Sequence, residues 1–239
     1  MKLYVAGDSF ASICKNQDVG KSFSEILARQ LNCELINVSR PAASNTSIAI
    51  QVDYISQHIE QDDYCIILLT NHYRATLPDT TIVSNKNLLE RHSVYYDQIP
   101  YKGINFSEKP ELISSMLHHK DTKDFYKKYF DVELFYFKDK MMVTGCLTFL
   151  KQKTEKFLVL SGGFGLSDNP NSNSIKSKNN FNDVYAKDFC LTDKNFLNIT
   201  SSYLYLLGDN DNFCNHLDDT THVILANMLY KKLIENEEV

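Results

Sequence analysis

The first seventy residues alternate between short apolar runs and segments in which apolar residues recur every three or four positions. The apolar runs are KLYVA, CELINV and YCIILLT, at residues 2–6, 33–38 and 64–70. Between them, residues 20–31 and 43–60 carry apolar side chains at helical spacing, which predicts one amphipathic helix in each. The order strand, helix, strand, helix, strand predicts a parallel sheet with helices on both faces.

The middle of the chain departs from this alternation. Residues 72–106 show no clear period, whereas the segments 108–130 and 131–153 have a helical pattern and are rich in Phe, Tyr and Lys. We interpret 72–153 as a largely helical insertion or cap over the edge of the sheet. Because no linker or internal repeat is visible, the whole chain, 1–239, is predicted to be one domain.

The last third returns to strand and helix patterns. Residues 156–165 read as a buried strand that ends in glycines, and residues 167–182 form a polar stretch typical of a loop. A helix is predicted over about 218–235, with Asp218 as its N-cap. The apolar residues expected to face inward from this helix are Ile224, Leu225, Met228, Leu229 and Leu233.

Composition excludes several classes of protein. The formal net charge of −5 and the absence of a basic stripe argue against a nucleic-acid partner. No run reaches the ~18 apolar residues of a membrane span, and the apolar run that ends at Gly7 is too short for a secretory signal. The six cysteines form no C-x-x-C pair, which disfavours a zinc site or a disulfide framework. We therefore expect a cytoplasmic protein with no metal or other cofactor.

Polar residues follow the predicted strands at the points where each strand ends. These segments are Gly7-Asp8-Ser9, the stretch 37–45, Thr70-Asn71-His72 and the loop before the last helix. In open parallel sheets, ligands bind beyond the carboxyl ends of the strands. The first of these segments presents a serine hydroxyl in a turn, so we expect a site for chemistry at this edge of the sheet.

In this order the segments resemble the sequence blocks of the SGNH (GDSL-type) serine hydrolases. GDSF at 7–10 resembles their first block, and NVSRPAASN at 37–45 resembles the second, usually N-x-G-x-x-G-x-S/T. LLTNH at 68–72 resembles the third, usually G-x-N-D, and HLDDTTHVILANML at 216–229 resembles the last, where a histidine precedes a helix. The resemblance implies a three-layer α/β/α domain with a parallel, flavodoxin-like sheet, and the activity of a serine esterase or acylhydrolase.

Carried over position by position, the resemblance makes Ser9 the nucleophile and His216 the general base that activates it. His222 is the alternative base, because Asp219-Thr220-Thr221-His222 also gives D-x-x-H, with Asp219 as the acid. An N-cap at Asp218 places His222 inside the helix, however, and the family pattern of His followed by Leu aligns onto His216. We therefore favour His216.

The acid that orients the histidine is less clearly marked. The family normally has Asp three residues before its histidine, and here that position is Phe213. Asp211 and Asp209 lie five and seven residues before His216. We take Asp211 as the orienting acid, which would hold the imidazole tautomer and stabilise the imidazolium. Asp209, or a serine–histidine dyad without an acid, remains an alternative.

The resemblance also implies an oxyanion hole made by the N–H groups of Ser9 and Ala42 and by the side chain of Asn71. Besides Phe213, three positions in the second and third blocks depart from the family pattern. Ala42 stands in place of a block-two glycine, Leu69 in place of the block-three glycine, and His72 in place of the block-three Asp.

Three functions are compatible with these residues. The first is a serine esterase that cleaves a small or carbohydrate-linked ester, such as an acetyl ester, through an acyl-enzyme intermediate. The departures from the family pattern motivate the second, a catalytically degenerate binding or structural module on the same fold. The third is an acyltransferase that uses the same residues. Beside the site, we interpret Asn45 as a helix cap and Arg40 as a solvated side chain.

Overall fold

The computed structural model describes residues 1–13, 20–40, 43–70, 100–101, 104–105, 128–129, 131–162, 195–200 and 217–234. The first elements in these parts are β1 (Lys2–Ala6), α1 (Phe23–Gln30), β2 (Glu34–Asn37), α2 (Asn45–His58) and β3 (Tyr64–Leu68). They are followed by β4 (Pro100–Tyr101), β5 (Ile104–Asn105), α3 (Val132–Lys151), β6 (Phe157–Gly162), β7 (Phe196–Thr200) and α4 (Asp219–Ile234).

Five strands form one sheet in the order β2-β1-β3-β6-β7, and every neighbouring pair is parallel. Val5 of β1 lies opposite Asn37 of β2, and Ala6 of β1 lies opposite Ile67 of β3. The chain thus starts in an inner strand, moves to one edge and then crosses to the other side, as in flavodoxin-like sheets. The prediction of a parallel, flavodoxin-like sheet is confirmed. The short strands β4 and β5 form a separate antiparallel pair.

Helices cover both faces of the sheet. Alternate strand residues point to opposite sides, and the apolar ones on each side need a helix layer to bury them. On one face, α2 and α3 pack against Tyr4, Cys65 and Val159. On the other face, α1 and α4 pack against Leu3, Ile66 and Leu158. All five residues of β3 are buried, as expected for a strand with helices on both sides. The three-layer α/β/α prediction is confirmed.

Side-chain caps fix where the helices begin. Ser22 caps α1 in a capping box, in which its hydroxyl accepts from the Glu25 N–H while the Glu25 carboxylate accepts from the Ser22 N–H. Asp218 accepts from the Thr221 N–H at 2.6 Å, which confirms the predicted cap of α4. The cap of α2 is Ser44, whose hydroxyl accepts from the Ser47 N–H. The expectation that Asn45 caps this helix is therefore wrong by one residue.

Helix α3 belongs to the core, although its sequence falls in the predicted insertion. Val143, Leu147 and Leu150 are buried between α2 and the sheet. Residues 132–151 thus supply an outer-layer helix between β3 and β6. The predicted insertion or cap at about 72–153 stays a prediction, since most of 72–130, like the predicted loop at 167–182, lies outside the described residues. In the parts of the chain that the structure describes, every helix is too short or too polar to cross a membrane.

Candidate active site

Ser9 lies in a tight turn directly after β1. The Asp8 carbonyl accepts hydrogen bonds from the N–H groups of Ala11 at 3.1 Å and Ser12 at 3.0 Å, which gives the turn a helical shape. The Ser12 hydroxyl donates to the Ser9 carbonyl at 3.3 Å. Ser9 itself is 8% exposed. The turn therefore holds Ser9, largely shielded from solvent, at the carboxyl edge of the sheet between β2 and β3.

Gly7 is needed where β1 meets this turn, because a side chain would have no room. A Cβ atom at Gly7 would lie 2.7 Å from the Ala11 Cβ and 3.0 Å from the Leu68 Cβ. The Gly7 N–H donates to Gln51 Oε1 at 2.8 Å, and the Gly7 carbonyl accepts from the Arg40 N–H at 3.0 Å. The end of β1 is thus fixed from α2 and from the segment after β2.

The Asp8 carboxylate ties the Ser9 turn to the end of β3. Its Oδ1 accepts from the Phe10 N–H at 3.0 Å, and its Oδ2 accepts from the Thr70 hydroxyl at 2.7 Å. Both Asp8 and Thr70 are almost completely buried. Because both oxygens accept hydrogen bonds from fixed donors, these donors set the orientation of the Asp8 side chain. Asp8 is a structural link beside the serine.

Asn37 makes the corresponding link from β2. Its Nδ2 donates to the Ala11 carbonyl at 2.8 Å and to the Ser24 hydroxyl at 3.2 Å. Its Oδ1 accepts from the Ser39 N–H at 3.0 Å and from the Ser39 hydroxyl. The first residue of the NVSRPAASN segment is therefore a buried bridge between the Ser9 turn, α1 and the segment that follows β2.

Asn45 fixes the end of β3 from the start of α2. Its Nδ2 donates to the Thr70 carbonyl at 2.8 Å, and its Oδ1 accepts from the Thr70 N–H at 2.9 Å. The same Nδ2 donates to Asp139 Oδ2 of α3 at 3.1 Å. Burial raises the pKa of Asp139 to about 6, although the Asn45 hydrogen bond and the nearby Lys138 act in the opposite direction. Sequence reasoning missed Asp139, whose only signal is a carboxylate on the buried side of an otherwise apolar helical face.

Of the seven predicted site residues, the structure describes Ser9, His222 and Asp219. The other four, Ala42, Asn71, Asp211 and His216, lie outside the described residues, as do Asp209, Phe213 and His72. Their roles stay predictions. Arg40 is only 5% exposed, so the expectation of a solvated side chain there is wrong.

His222 lies in the first turn of α4, as the cap at Asp218 predicts, and it is buried against the start of α1. Its Nδ1 accepts a hydrogen bond from the Phe23 N–H at 3.1 Å, and its ring stacks on the Phe23 ring at a centroid distance of 6.2 Å. Burial lowers the pKa of His222 to about 4, against the opposing influence of Asp219, Asp218 and Glu25. This environment holds a neutral imidazole with its proton on Nε2.

Asp219, the acid of the alternative pair, is bound to α1. Its carboxylate forms an ion pair with Lys21 at 2.7 Å, and both side chains are about half exposed. Asp219 and His222 therefore both contact the beginning of α1, one at the surface and one in the interior.

The solved structures with a similar course of the chain include three proteins from different organisms. A protein assigned to the lipolytic G-D-S-L family from Desulfitobacterium hafniense gives a TM-score of 0.47 at 14% identity, over 97% of this chain and 99% of its own. A member of the lipolytic G-D-S-L family from Veillonella parvula gives 0.45 at 10% identity, over 98% and 97%. The protein YXIM from Bacillus subtilis gives 0.41 at 10% identity, over 98% and 55%.

No family model and no curated protein matches this chain. Two of the three structures carry the name of the lipolytic G-D-S-L family. At 10–14% identity the similarity concerns structure. The chemistry of the site has to be inferred from the chain's own residues.

Proposed function

We propose that the protein is a serine esterase of the SGNH type with Ser9 as its nucleophile. The observation that supports this best is the way in which the turn after β1 is held. Buried hydrogen bonds with Asn37, Thr70 and Gln51 fix the residues on both sides of Ser9. The turn follows β1 and lies beside the end of β3, and the strand order of a flavodoxin-like sheet reverses between these two strands, where ligands bind.

In the proposed reaction His216 takes the proton from the Ser9 hydroxyl as Ser9 Oγ attacks the ester carbonyl. The alcohol leaves with that proton, and an acyl-enzyme remains. His216 then deprotonates a water molecule that attacks the acyl carbonyl. The bond between the acyl carbon and Ser9 Oγ breaks, His216 returns the proton to Ser9 Oγ, and the carboxylic acid is released. In this proposal Asp211 orients the imidazole of His216.

Negative charge develops on the carbonyl oxygen in both steps. We assign its stabilisation to the N–H groups of Ser9 and Ala42 and to the side-chain amide of Asn71, which directly follows Thr70 in the chain. Donors of this kind act best when they are held in place before the reaction begins, since no energy is then spent on orienting them. The buried bonds of Thr70 to Asn45 and Asp8 suit this requirement.

The proposed substrate is a small or carbohydrate-linked ester, with an acetyl group as the simplest acyl part. Hydrolysis of a short-chain chromogenic ester by the wild type, Ser9→Ala, His216→Ala and His222→Ala tests the assignment. Ser56→Ala is a matched control, because Ser56 is also 8% exposed and its hydroxyl bonds only locally, to the Asp53 carbonyl.

The proposal expects no turnover from Ser9→Ala and His216→Ala, and wild-type turnover from Ser56→Ala. A fluorophosphonate probe should label the wild type and fail to label Ser9→Ala. Turnover that persists in Ser9→Ala contradicts the assignment of the nucleophile. A wild type that neither turns over esters nor reacts with the probe favours a binding module on this fold. Added sugar acceptors that divert the acyl group from water would indicate acyl transfer.

A further inference from the structure

A buried carboxylate of α3 is joined to the Ser9 turn by consecutive buried hydrogen bonds. Asp139 of α3 accepts from Asn45 at 3.1 Å, and Asn45 holds both backbone groups of Thr70, at 2.8 and 2.9 Å. The Thr70 hydroxyl donates to Asp8 at 2.7 Å, and Asp8 precedes Ser9. Asp139 and Asn45 are 0% exposed. The contacts therefore run without interruption from the outer helix layer to the turn.

The hydrogen-bond capacity of Asn45 explains why a third partner matters. The two Nδ2 hydrogens are used by the Thr70 carbonyl and by Asp139 Oδ2, and Oδ1 is used by the Thr70 N–H. Without Asp139, one Nδ2 hydrogen would be buried with no acceptor, which destabilises that arrangement of the amide. The amide could relieve this destabilisation only by turning away from Thr70.

Complete burial makes the position of Asp139 energetically unfavourable for a carboxylate. Its neighbours on the same helix face, Val143 and Leu147, are apolar and buried. Lys138 Nζ lies 3.8 Å from Oδ1, yet Lys138 is substantially exposed, so it offsets little of the cost of burial. An apolar residue would pack there at lower cost. The hydrogen bond to Asn45 is the contact that an apolar residue could not supply.

We propose that Asp139 is a positioning residue for Ser9, which acts through Asn45 and Thr70 and does not touch the substrate. This inference rests on the proposed function for its effect on turnover. Its structural content is independent of that function, because the inference also states that Asp139 holds the backbone of Thr70 in place.

Three variants of α3 test this inference. Asp139→Leu removes the acceptor at similar size, and Asp139→Asn keeps an oxygen that can accept from Asn45. Val143→Ala, one turn further along the same buried face, destabilises the helix without touching Asn45. For each variant, kcat and KM for a chromogenic ester are measured, together with the stability to denaturant and the hydrogen-exchange rate of the Thr70 amide.

We expect Asp139→Leu to lower kcat about 10- to 100-fold, with KM unchanged, because small displacements of a reacting group have effects of this size. Its Thr70 amide should exchange faster than in the wild type. Asp139→Asn should retain most of kcat and of the protection of Thr70. Val143→Ala should lose stability while kcat stays at the wild-type value, and its Thr70 amide should exchange faster only by the factor that the measured loss of stability sets.

Wild-type kcat and wild-type Thr70 exchange in Asp139→Leu would overturn the inference. So would equal losses in Asp139→Leu and Val143→Ala, because the effect would then follow stability alone. Turnover that survives Ser9→Ala would overturn the proposed function instead. In that case the exchange rates still decide whether Asp139 holds Thr70, so the two proposals fail separately.

Discussion

The Thr70 hydroxyl donates a 2.7 Å hydrogen bond to Asp8 Oδ2, and this bond joins the chain just beyond two neighbouring strands. Ala6 and Ile67 are the last paired residues of β1 and β3, so the ladder of backbone bonds ends before Asp8 and Thr70 are reached. Beyond this last pair, the side-chain hydrogen bond from Thr70 to Asp8 connects the two chain segments. The position of Ser9 relative to β3 therefore depends on a pair of side chains that lies outside the regular sheet.

Replacing Thr70 with Val removes this donor at nearly constant volume. Asp8 Oδ2 then lacks the hydroxyl donor, and removing one hydrogen-bond partner from a buried polar group typically costs about 1–3 kcal/mol. We expect a loss of that size in the free energy of unfolding, measured with denaturant, and a fall in kcat for ester hydrolysis. Thr70→Ser, which keeps a hydroxyl, should restore most of both quantities.

Thr148→Val is the control for this substitution. Thr148 lies on an exposed part of α3, and its hydroxyl bonds to the Thr144 carbonyl within the same helix. The substitution there should leave unfolding and turnover close to wild type. If Thr70→Val and Thr148→Val behaved alike, the bond to Asp8 would have no special role.

Sequence reasoning predicts the layers of this fold well because each layer has a periodic signal. The apolar runs that become β1 and β3 and the helical spacing in α1 and α2 are local features. Helix α3 shows the limit of such signals. A helix in a cap and a helix in an outer layer both bury one face, so the pattern alone does not separate them. The buried face of α3 is also harder to identify from the sequence because apolar residues lie on its exposed side, namely Leu134, Phe137, Met141 and Phe149.

The candidate site was predictable where its signal is local. Gly7-Asp8-Ser9 marks the turn, and Asp218 marks the start of α4. The bond between Asn45 and Asp139 joins residues 94 positions apart, and no local pattern encodes it. The shift of the α2 cap from Asn45 to Ser44 has a simpler cause, since both residue types cap helices well.

Gly7→Ala should destabilise the protein and move the Ser9 turn. The new methyl would meet Ala11 Cβ at 2.7 Å and Leu68 Cβ at 3.0 Å. Insertion of extra atoms into a packed site typically costs about 1–3 kcal/mol. Thermal or denaturant unfolding measures this cost, and kcat reports the displacement of Ser9.

The double variant Gly7→Ala with Ala11→Gly tests the cause. It removes the closest of these contacts, so part of the lost stability should return, less the cost of Ala11→Gly measured alone. A double variant whose losses are the simple sum of the two single losses would contradict a clash between these two residues.

Asp139→Asn should change how stability depends on pH. Burial raises the pKa of Asp139 from 3.8 to about 6, so the folded protein binds this proton more tightly than the unfolded chain does. The resulting stabilisation is present below about pH 4 and is lost as pH rises through 6. Asparagine carries no such proton. The free energy of unfolding of Asp139→Asn, relative to that of the wild type, should therefore rise by on the order of 3 kcal/mol between pH 4 and pH 7.

Denaturant unfolding at a series of pH values measures this difference. Asp131→Asn is a useful comparison, because Asp131 caps α3 at the exposed end of the same helix, where its side chain accepts from the Leu134 N–H. A constant difference between Asp139→Asn and the wild type across this range would show that Asp139 does not titrate in the folded protein as its burial implies.

His222→Asn should have the opposite effect over an overlapping range. Burial lowers the pKa of His222 from 6.5 to about 4, so the unfolded chain binds this proton more tightly. The stabilisation from neutral His222 is present above pH 6.5 and is lost as pH falls through 4. Asparagine can still accept from the Phe23 N–H but does not titrate. As pH falls from 6.5 to 4, the free energy of unfolding of the wild type should therefore fall by on the order of 3 kcal/mol more than that of His222→Asn.

The two buried groups oppose each other, since acid favours the folded state through Asp139 and disfavours it through His222. Between about pH 4 and pH 6 their contributions partly cancel in the wild type, so only the single variants reveal them. His58→Asn is the matched control, because it removes an exposed histidine on α2 and leaves the contribution of His222 in place. If His222→Asn kept the acid dependence of the wild type, His222 would be protonated in the fold, and its Nδ1 could not accept from the Phe23 N–H.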